Sequence, residues 1–340
     1  MTSNSDNTNK NLPAGGDRPS DDSAGRSPVG LHKYAQWLAN LRQGGQGTDR
    51  GLWYSQGIML MQEKRYEDAL LSFDQILQLK PNFYEAWRYK GNALRKLHRY
   101  QEAIDAFDIA TELKPNYCEA WSDRGMVLSE LKRYEEAIAS FDRALISNPK
   151  SYHVWNNRGI ALSELQRYDE ALTSYEQAIT LKSNFYQALN NKGNVLRKLH
   201  QYEAALRAYN KALKCKANLH ETWNNKGTVL SRLERYEDAI AAYTESVRLK
   251  PNYCAAWYNK GLVMARQSLY REAIACFEAV VALQPDYGDA WYQYGNVLAK
   301  LERYQDAIVC FDSAINAKPE FHEAAAAKKL ALQNLRQKNI

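Results

Sequence analysis

No stretch of this 340-residue chain is long and apolar enough to read as a membrane span, and its mean hydropathy is −0.61. Cysteine is sparse and odd in number: Cys118, Cys215, Cys254, Cys276 and Cys310. That count and spacing argue against a disulfide framework and against a metal site. Reduced packing cysteines of a cytoplasmic protein are expected. The six histidines, His32, His98, His153, His200, His220 and His322, are scattered rather than clustered. H-E-x-x-H, a glycine-rich phosphate loop and a nucleophile elbow are all lacking. The chain therefore reads as a non-enzyme, with no cofactor and no metal. Its first residues, MTSNSDNTNK, lack the basic start and apolar stretch of a secretory signal. A strong excess of one charge is also missing. Lysine and arginine number 45 against 39 acids, with a pI near 8.8.

What is present is a period. Gly57, Gly91, Gly125, Gly159, Gly193, Gly227, Gly261 and Gly295 lie 34 residues apart. Each has a tyrosine nine residues on, Tyr66 through Tyr304, and an alanine twelve residues on, Ala69 through Ala307. Tryptophan stands four residues before seven of the eight; Leu189 replaces it in the fifth. A strict period of this length means one supersecondary unit repeated. The unit reads as two helices. In residues 254–287, Ala256, Trp257, Val263 and Met264 form one apolar stripe. Tyr270, Ala273, Ile274, Phe277, Val280 and Val281 form a second, and Pro285 ends it. Small residues at fixed sites suit close helix contact, with tryptophan and phenylalanine expected opposite them.

The pattern W-x3-G-x2-L, A-x3-[FY], P resembles the tetratricopeptide repeat, whose period is also 34 residues. The repeats span 50–83, 84–117, 118–151, 152–185, 186–219, 220–253, 254–287 and 288–321, with no insertion. The AWYNKG wording is similar to bacterial, in particular cyanobacterial, members. The resemblance implies an all-α fold: a right-handed α-solenoid, or superhelix, of eight helix-turn-helix repeats. Its open ends need covering. Leu31, Tyr34, Trp37, Leu38 and Leu41 suggest an N-terminal capping helix and joint over 31–49, with a partner-binding or membrane-surface helix as the rival. Residues 1–30 have the composition of a disordered tail. Residues 322–340 read as a C-terminal capping helix with Lys328, Lys329, Arg336 and Lys338 on its outer face.

One departure from the family pattern is a basic residue before the glycine: Lys90, Arg124, Arg158, Lys192, Lys226 and Lys260. Asp74, Asp108, Asp142, Glu176, Glu278 and Asp312 are available as partners, with Asn210 and Thr244 as gaps. A structural ladder is expected here, and a ligand-binding stripe is the alternative.

The resemblance further implies that the first helix of each repeat lines a concave groove. Carried over position by position, its polar residues are Asn156, Asn190 and Asn224, then Asn157, Asn191, Asn225 and Asn259, then Asn92, Asn194 and Asn296. An amide both donates and accepts, so a row of them can read a peptide backbone. The row resembles the asparagine-lined groove of O-linked N-acetylglucosamine transferases, although framework asparagines would look the same. The groove is also basic, through Arg88, Arg95, Lys96, Arg197, Lys198, Arg232, Arg266 and Lys300. Repeats two, five and eight share wording 102 residues apart: GNALRKLHRY, GNVLRKLHQY and GNVLAKLERY.

The expected function is a protein–protein interaction scaffold or assembly factor holding an extended or acidic peptide, or a helix. Repeat five carries seven basic residues against one acid, which points to repeats four to six as the main contact. Chaperone tails are not expected. The carboxylate clamp that binds them is broken at Asp123 after Arg88 and Asn92, and is incomplete again from Asn190. A nucleic-acid-binding solenoid is one alternative, weakened by 36 basic against 33 acidic residues in the repeats. A regulatory subunit acting on an enzyme in trans is another.

Overall fold

The computed structural model describes residues 49–338, and every regular element among them is helical. The helices are α1 (Asp49–Gln62), α2 (Tyr66–Leu79), α3 (Tyr84–Lys96), α4 (Tyr100–Leu113), α5 (Cys118–Glu130), α6 (Tyr134–Ser147), α7 (Tyr152–Glu164) and α8 (Tyr168–Leu181). Then come α9 (Tyr186–Lys198), α10 (Tyr202–Cys215), α11 (His220–Arg232), α12 (Tyr236–Leu249), α13 (Cys254–Arg266), α14 (Tyr270–Leu283), α15 (Gly288–Lys300), α16 (Tyr304–Ala317) and α17 (His322–Lys338). The expected tail and the N-terminal capping segment lie outside the described residues, apart from Asp49.

Each odd-numbered helix from α1 to α15 closes against the next through its glycine. A Cβ at Gly57, Gly91, Gly125, Gly159, Gly193, Gly227 or Gly295 would sit 2.5–2.7 Å from the ring of the aromatic residue sixteen positions on, and at Gly261 2.9 Å. Those rings belong to Phe73, Phe107, Phe141, Tyr175, Tyr209, Tyr243, Phe277 and Phe311, and all are buried. Tryptophan packs instead beside the recurring alanines, as Trp87 does with Ala86, Ala110 and Ala120. Trp87, Trp121, Trp155, Trp223, Trp257 and Trp291 are half-buried, and each indole Nε1 donates to a carbonyl six residues back, at 2.7–2.9 Å. The tryptophan clasps the loop between repeats. Trp121→Phe keeps the ring but loses the bond to Pro115, so it should cost about 1 kcal/mol, read as a lower urea midpoint.

The turn inside each repeat is a Schellman motif. In repeat two, His98 N–H donates to Arg95 O at 3.0 Å and Arg99 N–H to Leu94 O at 2.9 Å. The left-handed residue is never glycine: Lys64, His98, Lys132, Gln166, His200, Glu234, Ser268 and Glu302 all have φ of 57–60°. The next residue is usually an arginine that pairs three positions on with an acid of the second helix, as Arg99 does with Glu102 at 2.6 Å.

Every helix packs on both of its chain neighbours. Odd-numbered helices of adjacent repeats, α1 through α17, also touch one another, whereas even-numbered helices do not touch their counterparts. The stack therefore bends with the odd-numbered helices inside, and these line its concave face. The last helix, α17, corrects one expectation. Lys328 is half-buried and pairs back onto α16 with Asp312, while Lys338 stays exposed and pairs with Glu302 of the preceding turn at 2.8 Å. No helix among the described residues is long and apolar enough to cross a membrane.

Candidate functional site

The concave face carries two kinds of polar contact. In repeats two and three Arg88 and Arg95 are matched. Arg88 Nε and Asn92 Nδ2 both donate to Asp123 Oδ2, at 2.6 and 2.8 Å, and the Asp123 side chain is only 9% exposed. Burial opposes the Arg88 charge, and Asp123 more than offsets this, so the Arg88 pKa is raised. Arg95 closes on Glu130 of the next repeat, with Nη2 to Oε1 at 2.6 Å. Asp123 thus takes, from within the chain, the bonds that a peptide carboxylate would take from Arg88 and Asn92.

Repeats four to seven are stitched by amides. Asn191 donates to Asn156 at 3.1 Å, Asn225 to Asn194 at 3.1 Å and Asn259 to Asn224 at 3.0 Å, while Thr222 donates to Asn190 at 2.9 Å. Each bond joins one repeat to the next. Asn156 and Asn224 are buried and act as struts. Asn157, Asn190, Asn191, Asn194, Asn225 and Asn259 are half-buried on the concave side. So is Asn296, further along the same face.

From repeat five onward the cations change character. The last residue of each odd-numbered helix is Lys198, Arg232, Arg266 and Lys300 in four successive repeats, and all four are exposed. Among the described residues none pairs with a carboxylate. Arg266 reaches only the Tyr236 hydroxyl, at 3.4 Å, and Lys198 lies 5.7 Å above the Tyr168 ring. The same position holds Glu130 and Glu164 in repeats three and four, and exposed Lys96 in repeat two. The groove therefore changes sign along its length.

The ladder on the other flank of these helices forms where both members exist. Lys90–Asp74, Arg124–Asp108, Arg158–Asp142 and Lys192–Glu176 are 2.6–2.9 Å apart. Arg124 and Arg158 also donate to Ser140 and Ser174, two buried serines that the sequence reading missed. Glu278 is taken by Tyr294 at 2.6 Å. Opposite Asn210 and Thr244 the ladder stops, and Lys226 and Lys260 keep only the position over tryptophan, Trp223 and Trp257, that Lys90, Arg124 and Arg158 also hold. Burial pushes the Lys226 pKa down, with Asp238 opposing and Arg235 adding.

The acids Asp123 and Glu130 were also missed as groove partners. Their signal is a spacing of 35 residues from Arg88 and Arg95. Among the described residues no group of three or more His, Cys, Asp or Glu could hold a metal ion. Cys276 and Cys310 are buried and Cys215 is exposed.

Tetratricopeptide-repeat family models match residues 54–118, 90–152, 122–185 and 265–320, and a second such model matches 184–252. The chain belongs to the tetratricopeptide-repeat family. Members of this family are generally non-catalytic and typically mediate protein–protein interaction. A search of curated proteins finds no match to the chain. Among solved structures it is similar to YrrB, described as a tetratricopeptide-repeat protein with an unusual peptide-binding site. That likeness has 29% identity and a TM-score of 0.50, over 56% of this chain and 97% of YrrB. A tetratricopeptide-repeat protein from Parabacteroides merdae shares the fold at 16% identity and a TM-score of 0.54, over 73% of this chain and 98% of that one. The Cut9–Hcn1 hetero-tetramer of the APC/C shares it at 16% and 0.54, over 89% of this chain and 59% of that one.

Proposed function

We propose that this tetratricopeptide-repeat protein is a non-catalytic, cytoplasmic scaffold or assembly factor. It holds an extended, acidic segment of a partner protein along the concave face of repeats four to eight. One observation carries the reading. Among the described residues Arg197, Lys198, Arg232, Arg266 and Lys300 lack carboxylate partners, whereas Arg88 and Arg95 are already matched. A single-sign stripe attracts an acidic partner and orients it, and the half-buried amides between the cations can bond its backbone. The peptide-binding site ascribed to the similar YrrB supports a peptide ligand.

Capture from native lysate followed by mass spectrometry identifies the partner, and two matched variants test the site. Arg197→Gln/Lys198→Gln should weaken capture about tenfold, the worth of roughly 1.4 kcal/mol. Arg95→Gln/Lys96→Gln should change it far less, because Glu130 already holds Arg95. Equal loss from both pairs, or from neither, overturns the reading.

A further inference from the structure

Arg95 and Arg197 occupy the same position one three-repeat period apart. Their polar partners differ. Arg95 donates from Nε to Glu130 Oε1 at 2.8 Å. The residue in the place of Glu130 opposite Arg197 is Arg232. The Nε of Arg197 is buried and has no hydrogen-bond partner, and Arg232 pairs with no carboxylate. Two guanidinium groups thus stand where the earlier repeats place a guanidinium and a carboxylate.

The floor of this place is polar as well. Repeats four to six carry Tyr175, Tyr209 and Tyr243 where the other repeats carry phenylalanine. The Tyr209 hydroxyl donates to Asn194 at 2.8 Å, the Tyr243 hydroxyl to Thr228 at 3.3 Å, and Asn225 donates to Asn194 as well. Burial pushes both phenols up to about 12, and Arg197 opposes this at each, joined at Tyr243 by Arg232. Both cations therefore act on the same small region.

We propose that Arg197 and Arg232 form an oxyanion site between repeats five and six. It takes a carboxylate or phosphate monoester of a partner side chain, which docks against Arg197 as Glu130 docks against Arg95. The site lies apart from the broken carboxylate clamp at Arg88, Asn92 and Asp123. Guanidinium groups suit such anions because their fork of N–H donors matches two oxygens at once. The proposal rests on the acidic-peptide reading above and assigns one discrete contact within it.

The internal pair also supplies the test. Arg232→Glu rebuilds at repeats five and six the Arg95–Glu130 arrangement, so the full-length variant should fold with a Tm no lower than wild type. Arg232→Gln removes the cation without adding an acid and serves as the second variant. Three fluorescein-labelled decapeptides of serine and glutamine are compared by anisotropy: one with central glutamates, one with a central phosphoserine, one with neither. The wild type should bind the glutamate or the phosphoserine peptide at least tenfold more tightly than the neutral one, and whichever is favoured names the anion. Arg232→Glu should abolish that preference and Arg232→Gln should reduce it. Glu130→Arg, which makes repeat three resemble repeat six, should strengthen anionic binding. Preference unchanged in both Arg232 variants overturns the site and leaves the groove reading standing. A wild type without any anionic preference overturns both.

Discussion

Replacing Gly159 with leucine will unfold repeat four ahead of the rest of the array. A Cβ at Gly159 meets Tyr175 Cε1 at 2.7 Å and Cδ1 at 2.9 Å before any further carbon is added. The ring cannot step aside, because Tyr175 is buried between α7 and α8, with Ala171 and Ala178 fully buried beside it. Overpacking a well-filled core costs about 1–3 kcal/mol, and leucine here belongs at the upper end of that range. Gly159→Ala should fall lower in it. The damage should begin locally, since each repeat contacts only its neighbours. Hydrogen exchange should therefore show lost protection in residues 152–181 first. Uniform loss along the chain would contradict the argument.

Asp123→Asn should both weaken the fold and open the groove. Removing one member of a buried ion pair costs about 3–5 kcal/mol, because the other charge is stranded. Arg88 keeps 22% of its side-chain surface in solvent, and asparagine can still accept one bond, so about 2 kcal/mol is expected by urea denaturation. The same change releases Arg88 and Asn92 from an internal carboxylate. Acidic peptides should then bind repeats two and three, where the wild type leaves these donors occupied. A destabilised variant with no gain in acidic-peptide binding would show that Asp123 supports the fold without guarding the groove.

The repeat framework was legible because it is local. Gly91 and Phe107 lie sixteen residues apart in one helix pair, and Lys90 and Asp74 are separated by the same interval across one junction. The first spacing recurs eight times and the second pairs four successive junctions, so both can be read from a single chain. The tryptophans were legible as packing residues, while the indole N–H bond to Pro115 or Pro149 is a loop contact that periodicity does not report. Within the groove, the residue types were legible but their engagement was not. Asn156 and Asn191 occupy different positions of successive repeats, yet they bond to each other. Arg95 and Arg197 look identical in sequence, and what separates them is the residue 35 positions further on, Glu130 or Arg232.

The left-handed residues of the eight internal turns bear on how few repeats can stand alone. Histidine, lysine, glutamine, glutamate and serine all hold φ near 60° there, a conformation that costs a non-glycine residue of order 1 kcal/mol or more. Two backbone bonds close each turn, and at His98 and His200 the ring Nδ1 also bonds the hydroxyl of Tyr100 or Tyr202, at 2.7 Å. The remaining compensation must come from the packing of the two helices on each other and on the neighbouring repeats. A single helix pair cut from the chain keeps the unfavourable turn and loses half of the packing that enforces it, so it should remain largely unfolded. Order in this molecule is thus a collective property, gained as repeats are added.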